Sequence, residues 1–228
     1  MDVEGEIRRE LRAAADPARA PGQQAYMKSA MPFLGVRVPE VRRIARAAGR
    51  PLKNPASIRD AAQRLWETAE FREEWYAAMA LLGLPPVRGD LANLGLIEHM
   101  VRTGQWWDIT DELAHRLAEL HDRHPELTAA LVLSWCRDDD LWIRRIAILS
   151  QLGRRDRLDR DLLASVIEPN LADPDFFIRK AIGWALREYA RIDSDWVLVY
   201  ADEHSLSPLS RREALKHLIA LTAPEGPR

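Results

Sequence analysis

The segments DLWIRRIAIL (140–149) and DFFIRKAIGW (175–184) align without a gap at an offset of 35 residues. Asp140 matches Asp175, Ile143 matches Ile178, Arg144 matches Arg179 and Arg145 matches Lys180. A repeat of this length holds two helices, and so small a unit cannot bury its own apolar face. It must stack on neighbours, which is the construction of an α-solenoid of the HEAT or armadillo kind. Helical spacing dominates the rest of the chain, and no stretch sustains the alternation of a strand. The expected fold is therefore all-α, an α-solenoid of HEAT-like two-helix repeats. One helix of each pair would line a concave groove in which a long ligand such as a duplex could lie. Residues 1–222 read as a single HEAT-like repeat domain and APEGPR (223–228) as a flexible C-terminal tail.

Proline at or near a first turn, after a polar residue, marks helix starts at NPAS (54–57), HPEL (124–127), DPDF (173–176) and SPLS (207–210). The spacing predicts helices over 4–15, 39–48, 56–69, 72–83, 90–103, 106–121, 125–136, 141–152, 160–167, 175–190, 194–202 and 208–221. PFLGVRVPEVRRIAR (32–46) has only Gly35 to offer a helix-hairpin-helix turn. It reads as a loop running into a helix started by Pro39.

Charge narrows the function classes little. The formal net charge is −2, so there is no basic footprint over the whole chain. The charges are uneven, however. RVPEVRRIARAAGR (37–50) and LWIRRIAILSQLGRRDR (141–157) are basic, and ETAEFREEW (67–75) is acidic. The only lysines are Lys28, Lys53, Lys180 and Lys216. A bias to arginine suits phosphate binding and equally suits a compositional habit. No apolar run reaches the length of a membrane span. The start MDVEGEIRRELRAA has no signal-peptide core, and Cys136 has no partner for an internal disulfide. A cytoplasmic protein is expected.

On a helical wheel, Trp106, Ile109, Leu113, Leu117 and Leu120 form one stripe, expected to be core. Trp107 and Asp111 lie about 120° from its centre, one turn apart, beside Ala114 and Ala118, whose small side chains would leave room for an approaching group. The helix from 175 has the stripe Ile178, Ala181, Ile182, Ala185 and Tyr189, while Trp184 shares another sector with Lys180, Arg187 and Arg191. A tryptophan among cations suits a surface facing phosphates. Arg145 falls inside an apolar sector, between Leu141, Trp142, Leu149 and Leu152. Taken singly, each has a packing explanation: the tryptophans as contacts between repeats, Asp111 as a cap or arginine partner, Arg145 as a bridge to Asp108 or Asp111. Trp75 and Trp142 read as core. The pair His121 and His124 falls at a helix end, and with one cysteine and no HExxH no metal site is expected. P-loop, GxGxxG and G-x-S-x-G motifs are missing.

These residues resemble the DNA alkylation repair family of AlkD-like HEAT-repeat DNA glycosylases. The similarity runs from YMKSAMPFLGV (26–36) through QWWDITDEL (105–113) and DLWIRRIAIL (140–149) to FFIRKAIGWALREYA (176–190) and PLSRREALKH (208–217). The resemblance implies a monofunctional enzyme that removes cationic N3- and N7-alkylated purines from duplex DNA without flipping the base. By position, it implies that Trp107, Asp111 and Trp184 surround the lesion's sugar and that Arg145 binds the flanking phosphate. Arg187 would contact the backbone and Tyr26 would support the site; Lys180 and Arg191, which share the wheel sector of Trp184, read as further DNA-binding cations. The resemblance implies double-stranded DNA containing alkylated purines as partner; no cofactor is expected, and a monomer is the default. Alternatives are a non-catalytic HEAT-repeat protein binding branched or damaged DNA, which has no use for Asp111, and a protein-binding scaffold, which wants apolar patches in place of a Trp/Arg/Asp cluster.

Overall fold

The computed structural model describes residues 2–222, apart from the side chains of 219–222; the tail expected at 223–228 lies outside the described residues. The first helices are α1 (Val3–Ala13), α2 (Ala20–Met27), α3 (Val38–Gly49), α4 (Pro55–Glu67), α5 (Arg72–Leu81) and α6 (Leu94–Gly104). They are followed by α7 (Trp107–Arg123), α8 (Pro125–Trp135), α9 (Leu141–Leu149) and α10 (Arg160–Ile167). The chain ends in α11 (Phe176–Tyr189), α12 (Ser194–Glu203) and α13 (Pro208–Thr222). Among the described residues there is no strand.

The order is the one predicted, with one addition. APGQQAYM (20–27) is helical although only Met27 of it is buried, and a helix without an apolar stripe gives no period to detect. Elsewhere the start signals operate. Pro55 opens α4 after Asn54, whose side chain accepts the Ala56 N–H, and α8 and α13 begin at Pro125 and Pro208. The repeat is written in aspartates. Asp140 accepts the Trp142 N–H at 2.8 Å and Asp175 the Phe177 N–H at 2.6 Å. Two residues before each, Asp138 and Asp173 accept the N–H groups of Asp140 and Asp175, both at 2.8 Å. One turn is thus built twice, and each copy satisfies donors that a helix start leaves unpaired.

The chain divides into two compact units, Met1–Met100 and Val101–Arg228, where the sequence reads as one repeat domain. In the first unit α3 and α4 pack on α5, and α1 packs against all three. This unit buries charge. Arg72, Glu73 and Glu74, from the acidic stretch, are all buried. The Glu73 carboxylate accepts the backbone N–H groups of Leu34, Gly35 and Val36 at 2.9–3.1 Å. Gly35 has φ of +89°, and a Cβ there would stand 2.1 Å from the Asp16 carbonyl oxygen. The loop before α3 is therefore wrapped round a buried carboxylate and admits only glycine at its bend.

In the second unit α7, α9, α11 and α13 pack each on the next, and α8 packs on α7, α9 and α10. Alternate helices thus form one layer, as a stack of two-helix repeats requires. Ile109, Leu113, Leu117 and Leu120 of α7 are buried, as are Ile178, Ala181, Ile182, Ala185 and Tyr189 of α11. Trp106 departs from its expected place in the stripe. Its backbone is extended and caps α7, so its ring leaves the wheel and lies half-buried against Trp142 and Phe177, at centroid distances of 5.8 and 5.4 Å. Trp142 is buried as expected. Trp75 is only half-buried, stacked 4.4 Å from Trp66.

Candidate functional site

Asp111 lies one turn beyond Trp107 on α7. From α9, Arg145 reaches it with Nε donating to Oδ1 and Nη2 to Oδ2, both at 2.9 Å. The remaining nitrogen, Nη1, donates to the Phe177 carbonyl oxygen in the first turn of α11, and the guanidinium carbon stands 5.9 Å from the Phe177 ring centroid. The side chains of Arg145 and Asp111 are 5% and 15% exposed. Arg145 is thus a buried clamp between two helices of the layer, and all three of its nitrogens are engaged. Burial pushes the Asp111 carboxyl up and Arg145 pulls it back, leaving it above the ordinary carboxylate value. The guanidinium offsets part of the cost of keeping a carboxylate charged in a poorly solvated place.

Along α11, half-buried Trp184 lies one turn after Lys180 and one turn before Arg187. Both cations turn to one acid on α13. Lys180 Nζ stands 3.0 Å from Glu213 Oε1, and Arg187 Nη1 donates to Glu213 Oε2 at 2.7 Å. Burial pushes Glu213 up, but its bonds to Lys180 and Arg187 prevail and hold its carboxyl below the ordinary range. Gly183 permits the arrangement, because a Cβ there would stand 2.5 Å from Glu213 Cβ and 2.8 Å from the Ser210 carbonyl oxygen. Arg191, largely exposed, stands 3.4 Å from Glu188.

Several expected placements need correction. Arg145 and Lys180 are in register in the repeat but do not line one surface in the same way. Arg145 turns back to α7 and is buried, whereas Lys180 turns forward to α13 and stays 37% exposed. Arg145, for which the resemblance implies a flanking phosphate, has Asp111 and the Phe177 carbonyl as its partners within the chain. Ala114 and Ala118 are buried, so they fill packing and do not themselves offer the room expected beside Asp111. Tyr26 is 74% exposed on α2, in the first unit. The basic stretch 141–157 is largely paired: Arg144 with Asp173, and Arg154 and Arg157 with Asp122. Glu213 and the Phe177 carbonyl escaped sequence reasoning. Gly183, small inside an otherwise bulky AIGW, was the available sign that another helix comes close.

Among the described residues no group of three or more histidines, cysteines or acids could hold a metal ion. No helix there is long and apolar enough to cross a membrane. His121 is buried, 3.3 Å from the Ser150 hydroxyl, and burial first, then Arg154, lowers its pKa to about 4.

Fold and site together define a helical-repeat protein whose one layer carries an arginine-clamped aspartate and two off-core tryptophans. The chain belongs to the DNA alkylation repair enzyme family, whose model matches residues 7–218. Among solved structures it is similar to a predicted DNA alkylation repair enzyme from Enterococcus faecalis, at 25% identity and a TM-score of 0.78, over 90% of this chain and 96% of that one. It is also similar to AlkD2 from Streptococcus mutans, at 18% identity and a TM-score of 0.62, over 79% of this chain and 88% of that one. No curated protein matches it.

Proposed function

We propose that the protein is a monofunctional DNA glycosylase, acting as a monomer on duplex DNA. It hydrolyses the N-glycosidic bond of cationic N3- and N7-alkylated purines such as 3-methyladenine and 7-methylguanine, without flipping the base, as the first step of base excision repair. The observation that carries this reading is Asp111, a carboxylate held by two N–H bonds from a buried arginine and set one turn from Trp107.

An N3- or N7-alkylated purine is already cationic and leaves as a neutral base, so no general acid is needed. The difficulty is the positive charge that grows on the sugar. A carboxylate about 4 Å away, at an effective dielectric near 20, contributes roughly 4 kcal/mol of attraction, and Arg145 offsets part of it. Asp111 also orients the attacking water. Trp107 and Trp184 add cation–π attraction of about 0.5–2 kcal/mol each once desolvated. The total is small beside most enzymatic accelerations, so the substrates are restricted to lesions that are labile to begin with. Lys180, Arg187 and Arg191 bind phosphates. In this reading Arg145 is a positioning residue for Asp111. The test is release of free base and an abasic site from a duplex carrying one 7-methylguanine; intact lesion after prolonged incubation contradicts it.

A further inference from the structure

We propose that Glu213 is a built-in counter-ion that duplex phosphates must displace, and that it thereby weakens the hold of the protein on undamaged DNA. The proposal rests on the reading of the α11 face as DNA-binding. Each oxygen of Glu213 takes a different cation, Oε1 facing Lys180 and Oε2 accepting from Arg187. These cations stand seven residues apart on α11, about 10 Å along the axis, with Trp184 between them in the sequence. One carboxylate therefore draws in both cations that flank the tryptophan, and the cluster carries one net positive charge where two are counted in the sequence.

The cations remain reachable, at 37% and 20% side-chain exposure. A phosphate oxygen that bonds to either one approaches the negative charge of Glu213 and trades one ionic bond for another. Contacts other than Glu213 also dock α13 on α11. Gly183 allows the close approach, and the Ser210 hydroxyl donates to the Arg179 carbonyl at 2.9 Å across the same interface. An acid placed on two cations beside Trp184 fits a device that limits binding to ordinary duplex.

The experiment measures affinity for an undamaged duplex between 50 and 200 mM salt, for wild type and for Glu213→Gln, which keeps the shape beside Gly183. The variant is expected to bind more tightly at low salt and to lose affinity more steeply. Each additional phosphate neutralised adds about 0.9 to the slope of log affinity against log salt, so this fourfold rise in salt costs the variant about 3.5-fold more affinity per phosphate. Adding Lys180→Ala to the variant should take back about 0.9 of that added slope. Glu213→Ala, which also removes the carboxylate, should steepen the slope in the same way, which keeps the proposal testable if Glu213→Gln fails to fold. An unchanged or shallower slope in Glu213→Gln, or in Glu213→Ala where Glu213→Gln does not fold, overturns it. A wild type with no salt-dependent duplex affinity removes the DNA-binding reading and the proposal together; a wild type that binds, with Glu213→Gln showing its slope, removes the proposal only.

Discussion

Asp111 and Arg145, thirty-four residues apart in the chain, meet through two parallel hydrogen bonds of 2.9 Å, and the Phe177 carbonyl holds the arginine from its other end. Removing the arginine leaves a poorly solvated carboxylate uncompensated. Arg145→Ala is expected to lose about 3 kcal/mol of stability in urea denaturation, together with excision activity. Arg145→Lys keeps the charge but cannot offer the planar fork, so it should recover part of the stability and little activity. Wild-type stability in Arg145→Ala would show that the clamp carries no weight.

The Asp111 carboxyl lies above its ordinary value because burial outweighs Arg145. If the ionised form does the chemistry, excision is present above that raised pKa and is lost as the pH falls through it. The acid limb of the single-turnover rate should therefore have its midpoint above the ordinary aspartate value of about 3.9. A rate that persists down to that value contradicts the assignment.

His121 titrates in the folded state near 4, against about 6.5 when unfolded. The unfolded chain binds the proton first, so stability is complete above about 6.5 and falls as the pH drops towards 4. Linkage gives a loss of about 2 kcal/mol between pH 7 and pH 5 from this residue. Denaturation of wild type and His121→Gln at both pH values checks it; the variant should lose about 2 kcal/mol less than wild type over that interval.

Gly183→Ala should destabilise the protein although alanine is the better helix former. The added Cβ meets Glu213 and the Ser210 backbone, so α11 and α13 must part, at a cost of about 1–3 kcal/mol. A melting temperature equal to or above that of wild type would contradict the close approach.

Much of the second unit was legible because its signals are local. The aspartate caps fix the register of α9 and α11, and the apolar period fixes which residues face the core. Asp111 and Trp107 stood out because they break that period. The partners of Arg145, Lys180 and Arg187 were not legible, since pairing across helices depends on side-chain reach and on how closely the backbones approach. Trp106 escapes the wheel because a wheel assumes that the helix has already begun. The buried Arg72, Glu73 and Glu74 show a further limit: charge predicts exposure only until a loop folds its backbone donors round a carboxylate, as 34–36 does round Glu73.

In the proposed function Asp111 performs chemistry and does not serve DNA binding. Single-turnover excision of 7-methylguanine from a duplex, with affinity for the same duplex, should be measured for wild type and Asp111→Asn. The predicted result is base release by the wild type, a loss of up to about a thousandfold in the variant, and affinity within a few-fold of wild type. Excision by Asp111→Asn at near the wild-type rate, or tight binding by the wild type with no base released, would contradict it.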